Sequence, residues 1–246
     1  MIEETRKAYF IAKKDMGAYY LKPPLISWGL MLPIVFVFAF YFRNPTGIKE
    51  VVPGLIGLTL LFSSTSMAAI VITFEKRIGA LERLLLAPLS MRTVLFGKTL
   101  GSAVFGLIIT FCITIFLIPI MGLSIRHFLS FVLIIILSGL AFSLLGILIS
   151  VGVKEVFEAM TMSNFFRFPM IFLCGVFFPV SAMPFPLPVL SYLLPLTYTV
   201  DGLRHCLLEG IPMVPLSLDL LILLGFVVLI FALSLSIFKK RIRQEF

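Results

Sequence analysis

The sequence has few charged residues. Only 13% of its 246 residues are charged, whereas 60% are hydrophobic and the mean hydropathy is +1.14. A soluble domain carries about 25% charged residues, because its surface must interact with water. The composition therefore argues against a soluble globule or a disordered chain and predicts a polytopic membrane protein.

Cysteine is scarce as well. The chain has three cysteines, an odd number, and no C-x-x-C spacing. Neither a disulfide framework nor a metal site is indicated, so we expect no metal. The net charge of +8 would suggest nucleic acid in a soluble protein. In a membrane protein it bears on orientation instead, and we expect no nucleic-acid partner.

Long apolar runs divide the chain. A bilayer core about 30 Å thick is crossed by about 20 apolar residues. Six charge-poor runs reach that size, at 25–42, 52–74, 99–121, 128–153, 159–178 and 216–238. The fifth contains only Arg167 and the sixth only Asp219, each interpreted as close to a span end. The sequence predicts an all-α membrane protein with a six-span permease domain at 25–246.

The basic residues set the orientation. Of the 20 lysines and arginines, 16 lie in the N-terminal segment, the second and fourth connections and the C-terminal tail. Cytoplasmic loops carry the excess of positive charge. We therefore expect a multi-pass protein of the cell membrane with both termini in the cytoplasm.

Two segments are predicted to be amphipathic helices on the cytoplasmic side. Residues 1–24 place apolar side chains at helical spacing, which suits an interfacial helix with its tyrosines at headgroup depth; the alternative is a simple basic leader. The connection 75–90 places leucines on one side of a helix and charges on the other. Such a helix can offer its charges to a soluble partner, although a solvated loop is the alternative.

The segment 178–215 is apolar but rich in proline. Each interior proline removes a backbone hydrogen bond, so a continuous span is disfavoured. Non-helical backbone at membrane depth needs shelter from lipid. We predict short re-entrant helices in the outer leaflet before the last span.

Two motifs invite a chemical interpretation. Gly97-Lys98-Thr99 resembles the end of a phosphate-binding loop but lacks the glycine five residues earlier, so no ATPase site or catalytic residue is predicted. Asp201, His205 and Glu209 would share a helix face, for which a wetted loop surface is favoured over metal or acid–base chemistry.

The second span has a polar centre at Ser63, Ser64, Thr65 and Ser66. Small hydroxyl residues favour close helix packing, with a role in the substrate path of Ser63, Ser64 and Ser66 as the second interpretation. We expect no charge at the middle of any span, which argues against ion-coupled transport.

Three stretches in this order resemble one family. They are FEKRIGALERLLLAPL at 74–89, FLCGVFFPVSAMP at 172–184 and LPLTYTVDGLR at 194–204. The chain resembles the membrane (permease) subunit of type-2 ATP-binding-cassette (ABC) exporters for drugs, lipids or polysaccharides. The resemblance covers essentially the whole chain.

The resemblance implies a function and partners. It implies ATP-driven export of a hydrophobic or amphiphilic substrate, with a second permease copy or paralogue and separate ABC ATPase subunits that use ATP and Mg²⁺; this chain binds no cofactor. The positions that it implies for coupling to the ATPase are Glu75, Lys76, Arg77, Gly79, Glu82 and Arg83. The alternatives are a membrane-embedded enzyme using Asp201, His205 and Glu209, or a non-transporting membrane anchor.

Overall fold

The computed structural model describes residues 2–43, 47–153, 155–208 and 213–245. Within these residues the chain forms ten α-helices. They are α1 (Ile2–Asp15), α2 (Pro23–Arg43), α3 (Ile48–Arg77), α4 (Ala80–Leu86), α5 (Met91–Ile120), α6 (Phe128–Gly152), α7 (Val156–Leu173), α8 (Leu187–Tyr192), α9 (Pro195–Leu207) and α10 (Leu216–Glu245). A π-helical turn, Met16–Tyr20, continues α1.

Helices occupy the positions of all six predicted spans. In the described residues, four of them are long and apolar enough to cross a membrane: α3, α5, α6 and α10. The helix α2 contains a shorter apolar segment, Pro33–Phe42. The helix α7 has 18 residues and includes Arg167. The all-helical architecture is confirmed, and the count of six spans stays a prediction.

The long helix α3 forms the centre of the bundle. It packs against α2, α5, α6, α7 and α9. Small residues allow this close approach: a Cβ added to Gly146 of α6 would lie 2.4 Å from the Thr65 carbonyl oxygen. The sequence interpretation of the serine-rich segment as a packing surface agrees with this contact.

The helices α5, α7 and α10 keep an exposed apolar surface. Phe111 of α5 is 63% exposed, Phe165 of α7 is 70% exposed and Leu221 of α10 is 66% exposed. Soluble monomers rarely leave such contiguous apolar area in water. A lipid bilayer covers a surface of this kind without cost, so the exposed faces fit a membrane protein.

Short helices precede the last long helix, as the prolines predicted. A 3-10 turn (Val180–Ala182) and α8 lead into α9, whose side chains are nearly all buried against α3, α6 and α10. Pro195 is at the first position of α9, where a missing N–H costs nothing. Their entry into the outer leaflet stays a prediction.

The N-terminal helix packs on protein. Ala8, Ile11 and Ala12 are buried against α5, while Tyr9 stays 59% exposed. Tyr20 is only 1% exposed, and its ring lies 5.6 Å from that of Phe105. Tyr20 therefore packs on protein, and the depth of the tyrosines relative to the lipid headgroups stays a prediction. Whether 1–24 is an interfacial unit stays a prediction.

Candidate functional site

Four charged side chains meet at the end of the bundle where α3 ends and α5 begins. Lys98 of α5 donates hydrogen bonds to Asp15 of α1 (Nζ–Oδ2, 2.8 Å) and to Glu75 of α3. Lys14 Nζ lies 2.7 Å from Glu75 Oε1 and 3.2 Å from Asp15 Oδ1. We call these four residues the ion cluster; its two negative charges balance its two positive charges.

The ion cluster is largely shielded from water. The side chains of Asp15 and Glu75 are 0% exposed, and that of Lys98 is 2% exposed. Burial raises the pKa of Asp15, although Lys98 acts in the opposite direction. For Lys14, burial lowers the pKa, but its contacts with Glu75 and Asp15 outweigh burial and raise it.

These charges tie three helix ends together. A buried charge is tolerated only when it is paired and hydrogen-bonded. A shift of α1, α3 or α5 away from the other two would leave a carboxylate or an ammonium group without its partner. We infer that the three ends keep a fixed relative position or move together.

A glycine beside Lys98 allows this arrangement. A Cβ on Gly97 would lie 2.8 Å from Ile11 Cβ and 2.9 Å from the Ala8 carbonyl oxygen. The missing side chain lets α1 lie directly on α5, which brings Asp15 within reach of Lys98. The segment at 97–99 lies inside helix α5, and its lysine pairs with carboxylates.

A tight turn joins α3 to α4 beside the ion cluster. Gly79 has a φ of 67°, in the left-handed region that favours glycine. Arg83 Nε and Nη2 donate to the carbonyl oxygens of Gly79 and Ile78, each at 3.2 Å. Leu81 is buried beneath the turn, and Lys76 donates to the Ser150 carbonyl oxygen at 3.4 Å.

The opposite side of this turn is open. Arg77, Glu82 and Arg83 are exposed, together with two apolar side chains, Ile78 at 46% and Leu86 at 77%. We call these five residues the α4 surface. It combines charges of both signs with exposed apolar side chains, a composition suited to protein contact.

The structure corrects the expected exposure of one residue predicted for coupling; the coupling role of all six stays a prediction. Glu75 was expected to offer its charge to a soluble partner, but it is fully buried in the ion cluster. Lys76 is half-buried, whereas Arg77, Glu82 and Arg83 are exposed as predicted. The difference arises because α3 continues through Arg77 and turns Glu75 towards α1 and α5.

The ion cluster was missed by sequence reasoning. Asp15 and Lys98 are 83 positions apart, and neither forms part of a local motif. The one local signal was a lysine flanked by apolar residues and glycine at the start of an apolar run. A buried lysine of this kind needs a carboxylate partner, which sequence alone could not identify.

The three serines predicted for the substrate path make contacts that differ from one another, and their role in the path stays a prediction. Ser63 donates to the Thr59 carbonyl oxygen at 2.6 Å, within its own helix. Ser64 is buried against Gly106 and makes no hydrogen bond with its hydroxyl in the described residues. Ser66 is half-buried and accepts a hydrogen bond from Arg167 Nη1 at 2.6 Å.

The position of Arg167 is a second correction. The sequence interpretation put it close to a span end, with no charge at mid-span. The structure places it well inside α7, buried against Ser66 in the interior of α3. The sequence already contradicted the expectation, because Arg167 is the ninth of the 20 residues in the run 159–178. The helix α7 therefore carries a buried guanidinium away from both of its ends.

Two of the three residues proposed for an outer enzyme site, Asp201 and His205, lie one turn apart on α9. Both Asp201 carboxylate oxygens accept hydrogen bonds from backbone N–H groups of Met213 and Val214 at 2.9–3.1 Å. His205 lies beside His127, with ring centroids 5.9 Å apart. Glu209 lies outside the described residues. Across the described ranges, no group of three or more His, Cys, Asp or Glu could hold a metal ion.

The long apolar helices and their exposed apolar faces indicate a membrane protein with several spanning helices. The family model of the ABC-2 type transporter matches residues 7–208. The chain therefore belongs to the ABC-2 type transporter family, and it is a multi-pass transmembrane subunit of a transporter. The family implies a partnership with ABC ATPase subunits.

Curated relatives support this assignment. The chain is 26% identical to the inner membrane transport permease YadH of Escherichia coli (strain K12), over 94% of this chain and 96% of that protein. It is 26% identical to the probable multidrug ABC transporter permease YbhS of the same strain, over 85% of this chain and 57% of that protein. Nodulation protein J of Sinorhizobium fredii is 31% identical over 44% of this chain and 41% of its own length.

Proposed function

We propose that this chain is the permease subunit of an ATP-driven exporter whose ATPase subunits are separate polypeptides that contact the α4 surface. The supporting observation is that the exposed α4 surface lies directly beside the buried ion cluster. An external contact is thereby placed next to the junction of α1, α3 and α5. ATP and Mg²⁺ belong to the ATPase subunits in this proposal, and this chain supplies no catalytic residue.

The coupling mechanism follows from this geometry. Pressure on α4 is transmitted through the turn at Gly79 to the end of α3. Glu75 and Lys98 pass the displacement to α5, and Asp15 passes it to α1, because separating these charges inside protein is costly. The ATP-bound and nucleotide-free ATPases must contact the α4 surface differently for this displacement to occur.

Orientation and assembly complete the proposal. Both termini and the α4 surface face the cytoplasm, as the distribution of basic residues supports. A second copy or a paralogue completes the pathway, and the exposed apolar faces of α5, α7 and α10 offer surface for that subunit and for lipid. The apolar helices suit a hydrophobic or amphiphilic cargo, such as a drug, a lipid or a lipid-linked glycan, moved outwards.

The test reverses charges on the α4 surface. The chain is co-expressed with its candidate ABC ATPase, and both ATPase co-purification and ATP-dependent movement of a fluorescent amphiphile are measured in inverted vesicles. The double variant Glu82→Lys/Arg83→Glu should reduce ATPase co-purification, transport of the amphiphile, or both by about tenfold or more. The control Lys49→Glu changes an exposed charge at the opposite end of α3 and should have no effect.

The same experiment separates the alternatives. Inverted vesicles accumulate the cargo if transport is outward in the cell, so loss of the cargo from the lumen would contradict export. A chain that binds the ATPase but moves no amphiphile with ATP would be an anchor. Full association and transport by the double variant, with correct membrane insertion, would refute the coupling role of the α4 surface.

A further inference from the structure

The guanidinium of Arg167 is buried without an acidic partner. The residue is 4% exposed, and no carboxylate in the described part of the chain forms an ion pair with it. All the described ion pairs other than Lys7–Glu3 belong to the ion cluster. An ionisable residue inside a membrane helix is costly, and such residues commonly mark a substrate or ion pathway.

Most of its hydrogen-bonding capacity is unused. A guanidinium has five N–H donors. Nε donates to the Ser163 carbonyl oxygen at 3.1 Å and Nη1 donates to Ser66 Oγ at 2.6 Å. The other three N–H groups have no acceptor among the described residues. The central carbon of the guanidinium lies over the Phe62 ring, 4.7 Å from its centroid.

The guanidinium lies beside the least covered stripe of α3. Between positions 52 and 73, only Phe62, Ser66 and Ile70 are half-buried; all the others are buried. Their spacing of four residues places them along one side of the helix. Arg167 contacts the first two of them. A ligand that approaches along this stripe therefore reaches the guanidinium with little displacement of the bundle.

We propose that Arg167 binds the oxyanion headgroup of an amphiphilic cargo, a phosphate above all. This inference rests on the proposed transport function and names its substrate class. A planar guanidinium with free N–H groups matches two oxygens of a phosphate or carboxylate at once. Phe62 and Ile70 supply apolar contact on the same stripe, which suits an acyl or prenyl chain attached to the anion rather than a free ion.

Direct binding tests the proposal without the ATPase. The purified chain in dodecyl maltoside micelles is titrated with radiolabelled phosphatidic acid, and unlabelled phosphatidic acid, phosphatidylcholine and inorganic phosphate are used as competitors. Phosphatidic acid should compete at least about tenfold better than either of the other two. Arg167→Gln should weaken binding about 10- to 100-fold, the range of a charge-assisted hydrogen-bonded contact, and Arg167→Lys should weaken it less.

Two controls keep the result specific. Arg92→Gln removes an exposed positive charge at the start of α5 and should leave binding unchanged, which excludes general attraction of anionic lipid. The unfolding temperature of each variant in the same micelles shows that the fold is retained. If Arg167→Gln does not fold, the folded Arg167→Lys variant takes its place, because it loses the planar fork that matches two oxygens, and unchanged binding by it would overturn the proposal.

Three results would overturn the proposal. Equal competition by phosphatidylcholine would show that the anion is not recognised. Equal competition by inorganic phosphate would show that the site takes a free ion and no amphiphile. Unchanged binding by a folded Arg167→Gln variant would show that the guanidinium is not the binding group. Each result leaves ATPase coupling at the α4 surface intact, so the two proposals fail separately.

Discussion

Removing the Lys98 charge should destabilise the bundle strongly. Lys98→Met keeps the length of the side chain but leaves the carboxylates of Asp15 and Glu75 buried, with Lys14 as the only nearby cation in the described structure. Breaking a buried pair by removing one partner costs about 3–5 kcal/mol. For Lys98→Met we expect a loss of about 3 kcal/mol in the free energy of unfolding, the lower end of this range, because Lys14 still contacts both carboxylates.

The assay is thermal unfolding of the purified chain in one detergent. A loss of 1 kcal/mol lowers the unfolding temperature of a chain of this length by about 2–4 °C. Lys98→Met should therefore unfold about 6–12 °C lower than the unaltered chain. The matched control is Lys14→Met: its side chain is 47% exposed, so the loss should be at most about 1 kcal/mol.

A combined variant tests the cause of that loss. Replacing Asp15, Glu75 and Lys98 by Asn, Gln and Met removes all three buried charges at once. Replacing a buried ion pair by uncharged side chains often changes stability little. The triple variant should therefore recover at least half of the decrease in unfolding temperature caused by Lys98→Met. A Lys98→Met shift below about 2 °C, or a triple variant less stable than the single one, would refute the account of the ion cluster.

Three other substitutions probe the packing and the connections. Gly146→Ala should unfold about 4–8 °C lower, because its Cβ would overlap the Thr65 carbonyl oxygen; Gly152→Ala, which meets no atom within 4 Å, should change the temperature little. Asp201→Asn should speed hydrogen exchange of the two amides before α10 that donate to this carboxylate, measured by mass spectrometry; unchanged exchange would contradict that bond. Ser90→Ala should lower the unfolding temperature by about 2–4 °C through loss of the α5 N-cap, and no change would show that the cap contributes nothing.

Local patterns predicted the helices well. Apolar runs located α3, α5, α6 and α10, and the prolines located the short helices before α10, because length, hydropathy and proline geometry act within one segment. The exposure of Glu82 and Arg83 was also predictable, since these charges share one side of a short helix. The membership of the ABC-2 type transporter family was recognised from three stretches of the sequence.

Long-range contacts were not predictable in the same way. The partners of Lys98 come from positions 15 and 75, and the partner of Arg167 from position 66. Whether a charged side chain at the end of an apolar run faces water or another helix depends on the rotation and depth of that helix. A single sequence carries no record of either, so the burial of Glu75 was not predicted. The expectation that Arg167 lies near a span end was a miscount, because it is the ninth of the 20 residues in the run 159–178.

The sequence by itself determined that this chain is a bundle of apolar helices with a charged connection at one end, because hydrophobicity and helical period are properties of each segment. Only the tertiary structure decided which charges are buried and which are offered to a partner. The physical reason is that burial is the sum of contacts from several helices, and here the absence of a side chain at Gly97 brings α1 close enough to enclose the ion cluster.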